Sequence, residues 1–444
     1  MMNRLFEGQR AMRARRESAL RRGIVAVLDI GSSKVGCFIL QFVAPESGDG
    51  NPGVTLPKAS AFRVIGSATT RSRGVDFGEI SAMDETERAI RTVVQQAQKL
   101  AQQRVDNVLL CFAGGRPRSY GVEGVVEVEN GQVDERDIGR VLAACELPDY
   151  GAERDVLHAM PVNFTLDNKS GLNDPRGHVG SELSVDMHLV TVDSAPLQNL
   201  MQCIKRCDLD LSGVSLASYA AGLSSLLEDE QELGAACIDL GGGTTGVSVF
   251  MKRHMIYADA VRLGSDHITS DICQALHVPV QVAERLKTLH GGVVATSADD
   301  RDLIDVPDPN GEFSGERRQV SRAELIGVIR PRVEEILEDV RACLDAAGFE
   351  HLPGQRIVLT GGGSQLPGLE THATRILGRQ TRIGRPLRIH GLPQAMTGAA
   401  FSAAVGMALH ASHPQDECWD FEVPADRKGA LRVRRAMRWF RDNW

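Results

Sequence analysis

The sequence predicts an α/β protein in which two similar halves face one another, and three strand-to-glycine junctions carry that prediction. In Cys237–Phe250, CIDLGGGTTGVSVF, an apolar run ends at Asp239, passes through Gly241, Gly242 and Gly243, shows Thr244 and Thr245, and returns to alternating apolar residues. That is the pattern of a β-hairpin with a glycine tip. Ile24–Leu40, IVAVLDIGSSKVGCFIL, repeats it, with Asp29 ending the strand and Gly31, Ser32, Ser33 and Lys34 at the tip. Ile357–Leu366, IVLTGGGSQL, runs a third strand into Gly361, Gly362, Gly363 and Ser364. Glycines let the backbone take φ > 0 and approach a ligand closely, while their N–H groups and the two Thr hydroxyls can donate to anionic oxygens. One such hairpin is equally well an ordinary turn. Three in one chain point to one nucleotide held between the halves, with Lys34 meeting phosphate charge and Asp29 holding a metal or its water.

A chain of 444 residues implies two to four domains. Its 42% hydrophobic and 5% aromatic content fits globular α/β material, and no apolar run reaches the roughly 18 residues a membrane span needs. Nine cysteines are scattered without a CxxC pair, as expected of reduced thiols in a cytosolic setting. Cys203 and Cys207 share one face of an expected helix and read as core residues rather than metal ligands. Met1–Arg22 has arginines but no apolar stretch of the secretory kind. The net charge of −8 hides a polarity: residues 1–22 carry +5 and residues 427–444 carry +6, which leaves −19 for residues 23–426. An acidic body with basic ends argues against nucleic acid as a partner and for attachment to an anionic surface.

Along the chain, the arginines of residues 1–22 have few apolar neighbours, so a solvated tail is expected more than a basic surface helix. After the first hairpin come a Pro/Gly-rich loop (45–58), a strand at 62–68, a helix over 85–103 capped by Asp84, and a buried strand at 108–112. From 114 to 184 short alternating segments and one helix opened by Asp134 indicate a small α+β insert. A strand at 185–191, a helix over 196–207 and a strand at 211–214 resume the first half, and a helix over 216–227 leads to the central hairpin. A strand then runs into Gly264. Glu284 and Lys287 lie one turn apart on a later helix, a spacing usual for a solvated surface pair. Residues 299–315 read as an acidic loop, 322–346 as a long helix with Pro331 as a kink, 368–377 as a helix opened by the third glycine device, and 399–410 as a small-residue helix. Residues 410–426 read as a linker.

The combination DIGSSK, IDLGGGTTGVSVF and VLTGGGSQLPGL resembles the actin, Hsp70 and sugar-kinase superfamily. VLHAMPVNFTLDNKSGLNDPRGHVGSEL, VDMHLVT, ITSDI, AERLKTLHG, IRPRVEEILEDV and a basic terminal helix narrow it to the FtsA family of bacterial cell-division proteins. The resemblance implies an actin-like two-domain ATP-binding fold in which subdomain 1C replaces 1B. Its parts would be a basic extension (1–22), 1A (23–113 and 185–215), 1C (114–184), 2A (216–262 and 341–410), 2B (263–340), a linker (411–426) and a membrane-targeting helix (427–444). It implies ATP or ADP with Mg²⁺, the metal held by Asp29 and Asp239 mostly through water and phosphates. Gly31–Lys34 and Gly241–Thr245 would be the phosphate loops and Gly361–Ser364 the adenosine motif, with Gly264 on the ribose side and Glu284 and Lys287 lining the adenosine pocket, which displaces their surface reading. It also implies self-association into filaments, binding to FtsZ and other division proteins, and a peripheral place on the cytoplasmic face of the inner membrane at the division site. Two departures stand out: Ser265 follows Gly264 where many relatives have a second glycine, and Gly246 stands where an acidic residue is common. A phosphotransferase or active ATPase, including a pilus-assembly type, is the rival reading. No in-line catalytic base is assignable, so at most slow ATP hydrolysis is expected.

At the C-terminus, Val433, Met437, Phe440 and Trp444 fall on one face of a helix, with Arg434, Arg438 and Trp439 among the residues flanking it. Such a helix would lie in the interface plane of an anionic bilayer.

Overall fold

The computed structural model describes residues 2–42, 62–307 and 317–421. The opening hairpin forms as expected: β1 (Ile24–Ile30) pairs antiparallel with β2 (Lys34–Phe42), and nearly every side chain of both is buried, which is why both read as continuous apolar runs. β3 (Phe62–Arg71) continues the meander beyond β2. Two short strands, β4 (Val75–Asp76) and β5 (Glu79–Ile80), form a minimal hairpin before α2 (Met83–Ala101). Ala82 rather than Asp84 occupies the N-cap of α2, so Asp84 sits in the first turn, where its charge favours the helix dipole instead of capping. β6 (Asn107–Phe112) then lies parallel to β1.

The insert contains β7 (Arg118–Glu127), α3 (Glu135–Ala143), β8 (Arg154–Leu166), β9 (Lys169–Leu172) and β10 (Glu182–Asp193), with sheet order β7-β10-β8-β9. Asp134 caps α3 through a full capping box, as its position suggested. The sequence reading ended the insert at residue 184, but β10 pairs along its length with β7 and β8 and carries the insert to Asp193. After α4 (Ser194–Arg206), β11 (Asp210–Leu216) closes the first sheet beside β6.

α5 (Ala217–Ser225) and α6 (Glu228–Leu233) cross to the second half, where β12 (Ala235–Leu240), β13 (Thr245–Met251) and β14 (His254–Val261) form a second meander. α7 (Ser265–Leu276), α8 (Val280–His290), the β15 (Leu303–Pro307) and β16 (Arg317–Ser321) ribbon and α9 (Arg322–Ala346) follow. The ribbon replaces part of the expected acidic loop, because Ile304, Val306 and Val320 have an apolar surface to bury against. α9 runs unbroken through Pro331 and across the 340/341 boundary drawn from sequence. β17 (Arg356–Thr360), α10 (Leu369–Leu377), β18 (Thr381–Ile383) and α11 (Ser402–Ser412) complete the half. Its sheet order, β14-β13-β12-β17-β18, matches β3-β2-β1-β6-β11 of the first half in both order and strand direction. The duplicated plan read from the glycine motifs is therefore a duplicated topology.

Both chain ends depart from expectation. Residues 2–21 are not a tail but α1 (Met2–Arg21), laid against β11 and β1 with Met12 and Ala19 buried. Arginines supply the hold that the few apolar residues cannot. Arg13 meets Asp420 at 2.9 Å and donates to its carbonyl at 2.8 Å, Arg10 donates to the Phe421 carbonyl, and Arg15 to that of Leu211. The expected linker likewise begins as packed chain, with Cys418 and Trp419 buried in the insert core. If α1 is part of the fold, Ala19→Asp, which places a carboxylate at a fully buried position, should cost roughly 2–4 kcal/mol. A thermal melt equal to that of the parent would show that α1 contributes nothing.

Candidate functional site

The two hairpin tips are built alike. Gly31 N–H donates to the Lys34 carbonyl at 3.0 Å and Gly241 N–H to the Thr244 carbonyl at 2.9 Å, closing a tight turn in each case. Between these bonds, the N–H groups of Ser32, Ser33, Gly242 and Gly243 find no acceptor among the described residues. The tips also press together: a Cβ on Gly243 would fall 2.5 Å from Ser32 Oγ, and one on Gly242 would fall 3.0 Å from Ser33 Cβ. Only glycine lets the second tip come this close to the first. Behind it, the first N–H groups of α7 are used up on the tip itself: Ser265 donates to the Gly241 carbonyl and Asp266 to that of Gly242, both at 2.9 Å. Gly264 lies against the Gly242 carbonyl with no room for a Cβ, so it serves this loop contact.

The two threonines do not offer their hydroxyls as expected. Thr245 is fully buried and donates to the Leu263 carbonyl at 2.8 Å, and Thr244 donates to Ala113 across the cleft at 3.4 Å. In the third device, Gly361 takes φ +82° with Asp239 and Leu240 against it, a conformation and a crowding that exclude a side chain. Ser364 is buried and its hydroxyl donates to the Gly361 carbonyl, so it shapes the loop. Gly362 is different, because a Cβ there would meet only Ala400 Cβ at 3.8 Å.

At the foot of the cleft the two strand-end carboxylates, Asp29 and Asp239, face each other. Burial and the Asp29 charge push the Asp239 carboxyl up to about 7. Lys34 reaches toward the pair, with Nζ 3.6 Å from Asp29 Oδ2, donating to the Ala400 carbonyl and lying 4.8 Å from the Phe401 ring centroid. These groups line one cleft with Gly31–Ser33, Gly241–Thr244, Gly361 and Gly362, enclosing about 860 Å³ of space continuous with solvent. Unpaired N–H donors above and two carboxylates with one lysine below suit a phosphate chain and a hard cation. Among the described residues no group of three or more His, Cys, Asp or Glu could hold a metal, so a cation here would complete its shell with water and ligand oxygens.

Glu284 and Lys287 are only in part a solvated pair, since the Lys287 side chain is 9% exposed whereas that of Glu284 is 48% exposed. Lys287 is buried, donates to Thr269 Oγ1 at 2.7 Å and to the Ser265 carbonyl at 3.0 Å, and meets Glu284 at 2.7 Å. Glu284 also accepts from Thr269, and Lys287 leads the causes that hold its carboxyl below the usual range against the opposing cost of burial. Glu284 opens on a groove shared with Ser32, Ser33, Arg71 and Asp266, on the outer side of the tips.

The sequence reading gave a helix over 216–227 but did not assign its start, that of α5, to the site. Leu216, Ala217 and Ser218 line the cleft, and Ser218 Oγ is buried without a partner among the described residues. A Cβ on Gly246 would lie 2.8 Å from Ser218 Cβ, so there is no room for an acidic side chain at this position. It also missed a bridge across the mouth, where Arg262 pairs with Glu79 at 3.0 Å and stacks on Phe77, whose ring faces His267. Neither feature has a local pattern that could announce it. Val433, Arg434, Met437, Arg438, Trp439, Phe440 and Trp444 lie outside the described residues.

Comparison with known proteins places this geometry. Residues 236–406 match the family model of cell division protein FtsA, and residues 114–191 match that of the SHS2 domain inserted in FtsA. Among solved structures, a PilM-PilN type IV pilus biogenesis complex aligns over 88% of this chain and 99% of that one, with TM-score 0.58 and 15% identity. MreB5 of Spiroplasma citri bound to ADP aligns over 87% and 95%, with TM-score 0.52 and 14% identity. These likenesses concern the fold, which is actin-like. Cell division protein FtsA of Agrobacterium fabrum is 38% identical over 435 residues, 96% of each chain. With that extent of identity and both family models on the same chain, the protein belongs to the FtsA family of cell division proteins.

Proposed function

We propose that the chain binds ATP with Mg²⁺ between its halves, self-associates head to tail through its actin-like body, and ties FtsZ to the cytoplasmic face of the membrane at the division site, where it helps recruit later division proteins. The observation that carries the nucleotide reading is the pair of interlocked tips with four N–H groups that find no acceptor among the described residues, above Asp29 and Asp239. In this reading Ser32, Ser33, Gly242 and Gly243 donate to phosphate oxygens, Lys34 offsets their charge, and the open face at Gly362 admits the adenosine. Glu284 and Lys287 take the adenosine-pocket role that family resemblance implies, with the Glu284 carboxylate fixed by Lys287 and Thr269 at the edge of the groove outside the tips. Mg²⁺, held by Asp29 and Asp239 through water, would neutralise the phosphate charge. The ADP in the MreB5 structure supports a nucleotide in this fold. Adaptor rather than enzyme is favoured because no base is assignable, so hydrolysis is at most slow.

Self-association, FtsZ binding and the other division proteins rest on family membership; an actin-like body meeting its neighbour head to tail makes a contact that does not close. No described helix is long and apolar enough to cross a membrane. The proposed attachment is peripheral, through the basic amphipathic residues 427–444 on anionic lipid, at on the order of 1 kcal/mol per arginine near the surface.

Gly362→Val should leave the melting temperature unchanged, since the protein offers it space, yet weaken ATP in calorimetry at least tenfold. Parent-like binding by this variant would remove the third loop from the site, and no heat from the parent at millimolar ATP would remove the nucleotide.

Asp239 makes a second prediction. Its native carboxyl titrates near 7 against 3.8 in the unfolded reference, so the native state holds the extra proton and stability falls as pH rises from about 4 through 7. Asp239→Asn should therefore stabilise the apoprotein at pH 8 by up to about 4 kcal/mol, little at pH 4.5, and abolish the contribution of Mg²⁺ to ATP affinity. A melting gain independent of pH would contradict the assignment.

On anionic liposomes the intact chain should pellet, less so at high salt, and both Phe440→Glu and truncation at Lys428 should release it with ATP binding intact. Equal pelleting of truncated and intact chains would place the attachment elsewhere.

A further inference from the structure

The most distinctive stretch of the insert, HAMP, is not used by the cleft, yet its histidine lies between the cleft and the root of the C-terminal segment. His158 of β8 is buried, and its two ring nitrogens face opposite ways. The Leu216 N–H donates to Nε2 at 3.1 Å, with Ser215 Oγ at 3.5 Å from the same nitrogen. Because Nε2 accepts, the ring proton sits on Nδ1, 3.0 Å from Glu417 Oε1. The other oxygen of Glu417 accepts from the Ala159 N–H at 3.0 Å, so this buried carboxylate is satisfied on both sides.

Leu216 is not a remote residue, since with Ala217 and Ser218 it lines the cleft at the start of α5. One turn further along α5, the fully buried Tyr219 donates its hydroxyl to Gln415 at 3.1 Å and sets its ring edge-on to His158. The chain from Gln415 to Phe421 is thus a strap held at one end by the cleft-lining helix, in the middle by the insert, and at the other end by Arg10 and Arg13 of α1. Residues 422–444, which carry the proposed membrane-binding stretch, begin where the strap ends.

We propose that His158 couples the two sites: by accepting from Leu216 and donating to Glu417 it holds the start of α5 and the strap in one arrangement, so that nucleotide in the cleft and docking of the strap stabilise each other. His158 is a positioning residue in this scheme and touches no ligand. The inference rests on the nucleotide reading of the cleft, and linkage makes it reciprocal: whatever strap docking gains from nucleotide, nucleotide gains from the docked strap.

The test uses the full chain with ATP and Mg²⁺. Hydrogen exchange of the amides of residues 413–421 should slow about tenfold on saturation with nucleotide, a typical size for such coupling. Glu417→Gln turns an amide N–H₂ toward one of its two donors, and should abolish that slowing while weakening ATP in calorimetry by a similar factor. Arg13→Gln, which loosens the strap from α1 and lies outside the cleft, should weaken ATP in the same direction; it carries the test if Glu417→Gln does not fold. Unchanged exchange on nucleotide addition, or variants that bind ATP as the parent does while the strap exchanges faster, would overturn the coupling and leave the nucleotide reading standing. A parent that binds no ATP would overturn both.

Discussion

Everything in this molecule depends on a backbone contact between two helices. α5 leaves the first sheet, α11 returns to it, and they cross so closely that a Cβ on Gly406 would lie 1.6 Å from the Ala220 carbonyl oxygen. No side chain can enter that crossing, which explains the small residues of both helices, ASYAAGLSS and SAAVGMALHAS. The crossing sets how near the two sheets approach, since Gly222 of α5 in turn takes the ring of Phe250 from the second sheet and α11 packs on β1 and β6 of the first. The cleft lies directly above it, with the start of α5 on one side and Ala399, Ala400 and Ala403 on the other. The spacing of the glycine tips is thus decided well below the tips themselves.

Given that spacing, the electrostatics of the cleft follow. Bringing two like strands end to end also brings their terminal carboxylates together, and like charges in a partly dry site cannot both ionise without cost. Asp239 carries that cost, with burial as the larger cause and Asp29 as the second. The N–H groups of the tips present the opposite partial charge a few residues away. A site that disfavours its own second negative charge and also offers donors unpaired among the described residues would suit a ligand carrying both anion and cation. This balance is a consequence of duplicating one hairpin and closing the copies on each other.

The sequence made the hairpins legible because each is local: strand, tip and return strand are contiguous, and the tip glycines are required by contacts within a few ångströms. The duplicated sheet order could be anticipated from them. What stayed hidden depends on distant partners. Thr245 looks like a ligand donor until Leu263 is seen beside it, and Ser364 until the Gly361 carbonyl is. Val185–Thr191 alternates as any strand would, and only its pairing with β7 and β8 assigns it to the insert. Asp84 has the right chemistry for a cap but sits two positions past it. Glu284 and Lys287 show that spacing alone cannot separate a fully solvated pair from one anchored by a buried lysine, because the difference is Thr269 on another helix.

α1 corrects the reading of charge as well as of structure. The excess of arginines in residues 1–22 suggested a free basic arm, yet Arg10, Arg13 and Arg15 donate to carbonyls of the body, Arg13 pairs with Asp420, and Arg16 is buried deeply enough that desolvation outweighs the pull of Asp420 and Glu417. Charge paired inside the protein, as that of Arg13 with Asp420, attracts an external anionic surface weakly, since it is compensated within a few ångströms, well inside a Debye length of about 8 Å. Asp420 of the strap is the counterpart of Arg13, so α1 and the strap are tied by charge at one place. Arg21 and Arg22 stay exposed at the other end of α1, so in the proposed attachment they and residues 427–444 carry the positive charge offered to lipid. In the proposed attachment the N-terminal extension would act by holding the strap that precedes residues 422–444, a task for Arg10 and Arg13 whether or not they reach a headgroup.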